Sequence, residues 1–292
     1  MDIFDFGKDE TLIEREEIIK NTWEDFRRQL ADGHLVIDDV KDALNITFLH
    51  QFDDMFNNMH NNVTCNISDI KGKFFIRGTI LTDDEVPNYE RMIPNSRYIK
   101  DDNRFSQAGV DWLYIAMGEN ENSAVECSKK ECKTKKGDRF AFCNFEINER
   151  LKDIKIVDLT IADSLSSEII NNDLKTTFER MRKKTANRTR KLGIYVPPNV
   201  KDKKIIEDSI EQWFLKTYLK LIAEQIFVPL EKAIDRRLVY APFQCLANYF
   251  ISKGYDGIIY KSTVCEDGKN IVFFNKCAMH PTGDISIEMI RE

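Results

Sequence analysis

No stretch of the 292 residues is apolar for long enough to cross a bilayer. The opening MDIFDFGKDE lacks the basic region and following apolar region of a secretory leader. A cytoplasmic chain with no membrane partner is therefore expected. A basic excess is missing too. The net charge is −6, which argues against a general nucleic-acid binder, whose electrostatic footprint is positive. Internal repeats and low-complexity segments are absent.

Metal-ligating residues are sparse and scattered. The four histidines (His34, His50, His60 and His280) are dispersed along the chain. The seven cysteines are odd in number and spread through a chain too large to need staples, so reduced thiols are expected. Cys127 and Cys132 in CSKKEC have the look of half a metal clip. No second pair follows at zinc-ribbon spacing, and structural zinc takes four convergent ligands, so no metal is expected. Ser262 has no G-x-S-x-G elbow around it and no evident histidine partner, which removes the serine-hydrolase reading. Asn62-Val63-Thr64 matches a glycosylation sequon, which carries no weight without secretion.

What is present is a helical start followed by a sheet. ETLIEREEIIKNTWEDFRRQLADG places Ile19, Trp23, Phe26 and Leu30 on one helical face, with Gly33 positioned to end the helix. More helix is expected through KDALNITFLHQFDDMF. This gives an N-terminal helical region over 1–71 whose apolar stripe needs a partner surface.

From about residue 72 the pattern turns to strands: KGKFFIRGTIL, DWLYIAM, RFAFCNFEI and IKIVDLT are aromatic or β-branched and short. DDEVPNYERMIPNSRYIKDDNRFSQAG reads as a long loop, and SAVECSKK as a short helix. Helical periodicity from about 165 to 235 surrounds the basic RMRKKTANRTRK. FQCLANYFISKG is then a helix ended by Gly254, and YDGIIYKS and KNIVFFN are strands. The expectation is an α+β chain in which a sheet domain over 72–292 is interrupted by a helical insertion.

Five residues on or beside these strands are chemical candidates: Arg77 in FFIRG, Arg104 in NRFSQAG, Tyr114 and Glu126 in WLYIAMGENENSAVE, and Ser262 in DGIIYKS. Each also has a structural reading. An arginine after aromatics snorkels to solvent, and a strand tyrosine packs in a core. Ser123-Ala-Val-Glu126 fits the S-x-x-E capping box, in which the glutamate serves the helix start.

In order and company, these residues resemble the RES-domain family of bacterial toxins. The stretch from Arg104 to Gly109, then Trp112-Leu113-Tyr114-Ile115-Ala116, then Ser123-Ala124-Val125-Glu126 follows the family's arginine, Leu-Tyr strand and glutamate helix. FFIRG, IKIVDLT, KGYDGIIYKS and KNIVFF match its remaining segments. The resemblance covers about residues 72–276. It departs at Ser123, where the family has threonine, and at Tyr240-Ala-Pro-Phe-Gln244, where the family has Tyr-x-x-Thr-Gln.

The resemblance implies an ADP-ribosyltransferase-like fold and cleavage of the nicotinamide–ribose bond of NAD+, a substrate here and not a resident cofactor. The residue types suit that chemistry. Nicotinamide leaves as a neutral base, so the need is to stabilise a sugar carbon turning positive, and one carboxylate does this. On the resemblance that carboxylate is Glu126. Arg77 and Arg104 bind the diphosphate through planar paired hydrogen bonds, with Arg77 also counted in the catalytic set. Tyr114 stacks on nicotinamide, and Ser262 bonds its amide or a ribose hydroxyl. A toxin of this kind needs restraint by an antitoxin or immunity protein on another chain, or by its own N-terminal helices. Those helices serve equally well for homo-oligomerisation.

Two alternatives stay open on the residues. One is transfer of ADP-ribose to a protein or nucleic-acid target. The other is a non-catalytic binding module using RMRKKTANRTRK, although nucleic acid is disfavoured by the acidic whole and a charge run of this sort is usually a solvated helix face.

Overall fold

The computed structural model describes residues 3–151, 153–227 and 236–291. The end of the expected helical insertion, 228–235, lies outside the described residues. Helices α1 (Asp9–Ala31), α2 (Val40–Ala43) and α3 (Thr47–Met59) come first, followed by β1 (Thr64–Asn66) and β2 (Phe74–Leu81). Then come α4 (Tyr89–Met92), β3 (Leu113–Gly118), α5 (Glu121–Glu131), β4 (Arg139–Ile147) and β5 (Lys155–Asp158). Three long helices follow: α6 (Ser167–Leu192), α7 (Val200–Ile226) and α8 (Arg236–Ser252). The chain finishes with β6 (Gly257–Lys261), β7 (Lys269–Phe273) and β8 (Met279–Met289).

The strands form one mixed sheet in the order β1-β5-β6-β7-β3-β2-β4-β8. Among the described residues, only β5 and β6 pair in parallel. A parallel pair cannot be joined by a hairpin and needs a long crossover. Here α6, α7 and α8 supply it, so the expected insertion is the crossover itself.

One face of the sheet carries the helices. The stripe of α1 buries Leu12, Ile19, Trp23, Phe26 and Leu30, and α3 buries Phe48, Leu49, Phe52 and Phe56. These pack against α7 and α8 in a single aromatic core that reaches Val157, Ile258 and Val272 of the sheet. The helices before residue 71 thus share a core with the crossover helices, and β1 joins the sheet beside β5. The opposite face buries Phe75, Leu113, Ile115, Ile271 and Phe273 beneath Ile70, Met92 and Met279. No helix among the described residues is long and apolar enough to cross a membrane.

α5 lies over the helical face near β2 and β4, where Ile76, Ala124, Val125 and Phe140 form a small core of their own. Its start depends on Gly118. A Cβ there would lie 2.4 Å from Ser123 Oγ and 2.7 Å from the Ala124 nitrogen, so only glycine lets strand and helix meet so closely. The helix is capped by Asn120, whose side chain accepts from the Ser123 amide while Ser123 Oγ accepts in return. The expected pairing of Ser123 with Glu126 is not formed.

Candidate functional site

Between α5 and the end of α7 with the start of α8, a cleft opens over the sheet among the described residues. The cleft has a volume of about 660 Å³, within the range of small-molecule sites. Its floor is set by register. Ile76 lies opposite Ala116, Ala116 opposite Asn270, and Asn270 opposite Tyr260, one row across β2, β3, β7 and β6. The next row brings up Tyr114.

The cleft is widened by a split in the sheet. β2 and β3 pair only from Phe74 to Ile76, although β2 continues to Leu81 against β4 and β3 continues back to Leu113 against β7. Arg77 enters where the pairing stops, and its Nη1 donates to the Tyr114 carbonyl at 2.6 Å. Burial lowers the Arg77 pKa below the ordinary guanidinium value, with Cys132 opposing the shift and the Arg91 cation adding to it.

Arg104 stands on the loop that forms the cleft's other wall. Phe105 anchors that loop, buried against Tyr260 with ring centroids 4.9 Å apart and against Phe243. Gln244 of α8 donates to the carbonyls of Asn103 and Ser106, and Ser106 Oγ bonds the Tyr114 hydroxyl at 2.9 Å. The guanidinium of Arg104 lies over the rings of Tyr240 and Phe243, and its Nη1 is buried without a hydrogen-bond partner among the described residues. Burial pushes the Tyr114 hydroxyl well above its ordinary pKa, keeping it neutral.

Two carboxylates line this cleft: Asp102, on the Arg104 loop, accepts from the Ala108 amide at 2.7 Å, and Glu131, the exposed last residue of α5, stands on the opposite wall. Glu131 Oε1 accepts from Ser262 Oγ at 2.7 Å and from Asn270 Nδ2 at 2.5 Å. Both donors are almost fully buried. Ser262 Oγ is fixed in turn by the amides of Val264 and Cys265.

Glu126 is placed elsewhere. It lies on the exposed face of α5, with 58% of its side chain open to solvent, and accepts from Lys129 Nζ at 2.7 Å. Lys129 also pairs with Glu288 of β8. The reason is helical phase. Ala124, Val125, Cys127 and Ser128 are the buried residues of α5; Glu131 follows Cys127 by four positions and so shares its side at the exposed end of the helix, whereas Glu126 sits about 100° from Cys127.

Of the five candidates, then, Arg77, Arg104 and Tyr114 line one cleft. Ser262 stands behind it as the support of Glu131, and Glu126 is outside. Glu131, Asp102, Lys133, Asn270 and Tyr260 are among the cleft residues that sequence reasoning missed. The signal for Glu131 was available in the four-residue spacing from Cys127.

No known family, no curated protein and no solved structure matches the chain. The site's own chemistry therefore carries the functional reading. Two guanidinium groups without a carboxylate partner among the described residues, a fixed carboxylate and several aromatic faces are suited to a ligand that is anionic at one end and aromatic at the other.

Proposed function

We propose that the chain binds NAD+ in this cleft and cleaves the nicotinamide–ribose bond, with Glu131 as the carboxylate beneath the reacting sugar. The observation that supports this most directly is Arg104, whose buried Nη1 has no partner among the described residues. A buried donor left unpaired, on a cation without a counter-ion, is costly. A ligand phosphate would satisfy both needs. The sheet split at Arg77 and the cleft above it are compatible with the ADP-ribosyltransferase-like fold that the RES resemblance implies, and we extend the proposal to that fold.

In the reaction the C–N bond breaks and its electron pair leaves with nicotinamide as a neutral base. The ribosyl carbon turns positive and is captured by the oxygen of water, whose extra proton is released to solvent, or by an anionic oxygen of phosphate. Glu131 stabilises the developing charge with the carboxylate oxygen not occupied by Ser262 and Asn270, and its fixed position means no reorganisation at the moment of reaction. Tyr114, Tyr240 and Tyr260 offer ring faces for the two bases. The residue two places before Glu131 is Lys129, turned away toward Glu126 and Glu288. With no acid or amide there to activate a macromolecular acceptor, a small acceptor is favoured. On this reading the chain acts as a RES-type toxin that depletes NAD+, with a restraining partner able to act by covering the cleft.

The test is NAD+ turnover by purified protein. Glu131→Gln keeps size and both supporting hydrogen-bond donors within reach, and lowers turnover by about a hundredfold, roughly 2.7 kcal/mol of transition-state stabilisation. Glu126→Gln leaves turnover unchanged. Equal turnover by Glu131→Gln and wild type would remove Glu131 from the chemistry, and absence of turnover by wild type would remove the reaction.

A further inference from the structure

Among the described residues, seven glycines take a positive φ and a single other residue does so: Lys133, at 54°. Lys133 follows the end of α5. Its amide donates to the Lys130 carbonyl at 3.0 Å, and the Thr134 amide donates to the Lys129 carbonyl at 3.3 Å, with Cys132 as the C-cap. This is the Schellman arrangement, and Lys133 fills the left-handed position in which glycine is preferred, because a Cβ crowds the following carbonyl. The chain uses glycine at three other left-handed helix ends: Gly33 after α1, Gly193 after α6 and Gly254 after α8. At the end of α5 it uses lysine instead.

Lys133 is exposed and lines the cleft that holds Arg77, Arg104 and Glu131. Its ammonium makes no hydrogen bond or ion pair among the described residues, so none accounts for a side chain at this backbone position. Local strain retained at a cleft points to a ligand.

We propose that Lys133 is a third cation of the ligand site, held at the cleft's rim to bind the diphosphate of the nucleotide. This rests on the nucleotide reading above and extends it to a residue that reading does not use. A lysine suits the position: it is a flexible point charge that follows a phosphate group as it enters, while Arg104 is fixed by its stacking on Tyr240 and Phe243.

The inference makes stability and binding move in opposite directions. Lys133→Gly relieves the backbone and raises the melting temperature by about 2 °C, while weakening calorimetric binding of ADP-ribose by about tenfold. Lys133→Asn, neutral but tolerant of the left-handed region, weakens binding to the same extent. Lys133→Arg keeps charge and strain, and keeps binding near wild type. If wild type binds ADP-ribose and Lys133→Gly binds it equally well, the assignment of Lys133 is overturned while the nucleotide reading stands. If wild type binds neither ADP-ribose nor NAD+, the nucleotide reading falls and the role of Lys133 falls with it.

Discussion

Arg77 donates from Nη1 to the main-chain carbonyl of Tyr114 at 2.6 Å, across the gap where β2 and β3 cease to pair. A strand that leaves its neighbour exposes backbone groups that the ladder would have satisfied. Here a guanidinium takes the place of the missing partner and keeps the gap open at the same time. The arginine therefore holds the cleft's shape before any ligand contact is considered.

Arg77→Met keeps much of the aliphatic bulk but leaves the Tyr114 carbonyl without this donor. The expected loss of stability is about 1–3 kcal/mol, read from urea unfolding midpoints at constant m-value. Arg77→Lys does not restore it fully, because an ammonium lacks the planar fork. A variant as stable as wild type would mean that the contact at Tyr114 is incidental to the fold.

Ser262 was expected to touch the ligand, and its position behind Glu131 assigns it a different task. Its hydroxyl and the Asn270 amide both donate to Glu131 Oε1, so each orients the acid. Loss of an orienting group lowers kcat more than it raises KM, because the ligand contacts remain. If the proposed NAD+ cleavage holds, Ser262→Ala and Asn270→Ala each lower its kcat by about tenfold, with KM nearly unchanged. The double variant costs less than the product of the two, since both act through one carboxylate. A KM effect larger than the kcat effect would place Ser262 against the ligand instead.

Much of the sheet was legible because its central strands are aromatic and β-branched runs bounded by glycine and polar turns. β2, β4, β5, β6 and β7 fall within segments read as strands, and β3 overruns its segment by Gly118 alone. β1 escaped because three residues are too few to show a period. β8 escaped because MHPTGDISIEM is an exposed edge with proline and glycine inside it. The α5 error has a different origin. Ser123-Ala-Val-Glu126 satisfies a capping pattern by spacing alone, yet the helix begins earlier, at Glu121, with Asn120 as its cap. Moving the start changes which residues are read as first-turn positions. The acid facing the cleft then came from the end of the helix and not from its beginning. Asn270 and Tyr260 could not be placed beside Glu131 from spacing, since only sheet register brings them there.

The basic segment RMRKKTANRTRK, read from sequence as a solvated face, is in part turned inward. Asp202 of α7 is 1% exposed and receives both Lys184 Nζ and Arg188 Nη1, each at 2.5 Å. Arg182 of the same segment reaches the Phe4 carbonyl. The Lys184 hydrogen bond, reinforced by Arg188 and opposed by burial, holds the Asp202 pKa below its ordinary 3.8. A carboxylate with a depressed folded pKa contributes stability that is fully present above the unfolded value and is lost as pH falls through the folded one. Asp202→Asn therefore melts several degrees below wild type at pH 7, where removing the acid leaves two cations facing a neutral amide. The deficit narrows as pH drops below about 4 and closes once pH has passed below the depressed folded pKa, where wild-type Asp202 is itself neutral. Melting curves of the two proteins over a pH series decide the matter. A deficit that stays constant to acid pH would show that Asp202 joins α6 to α7 by shape and hydrogen bonding, with its charge playing no part.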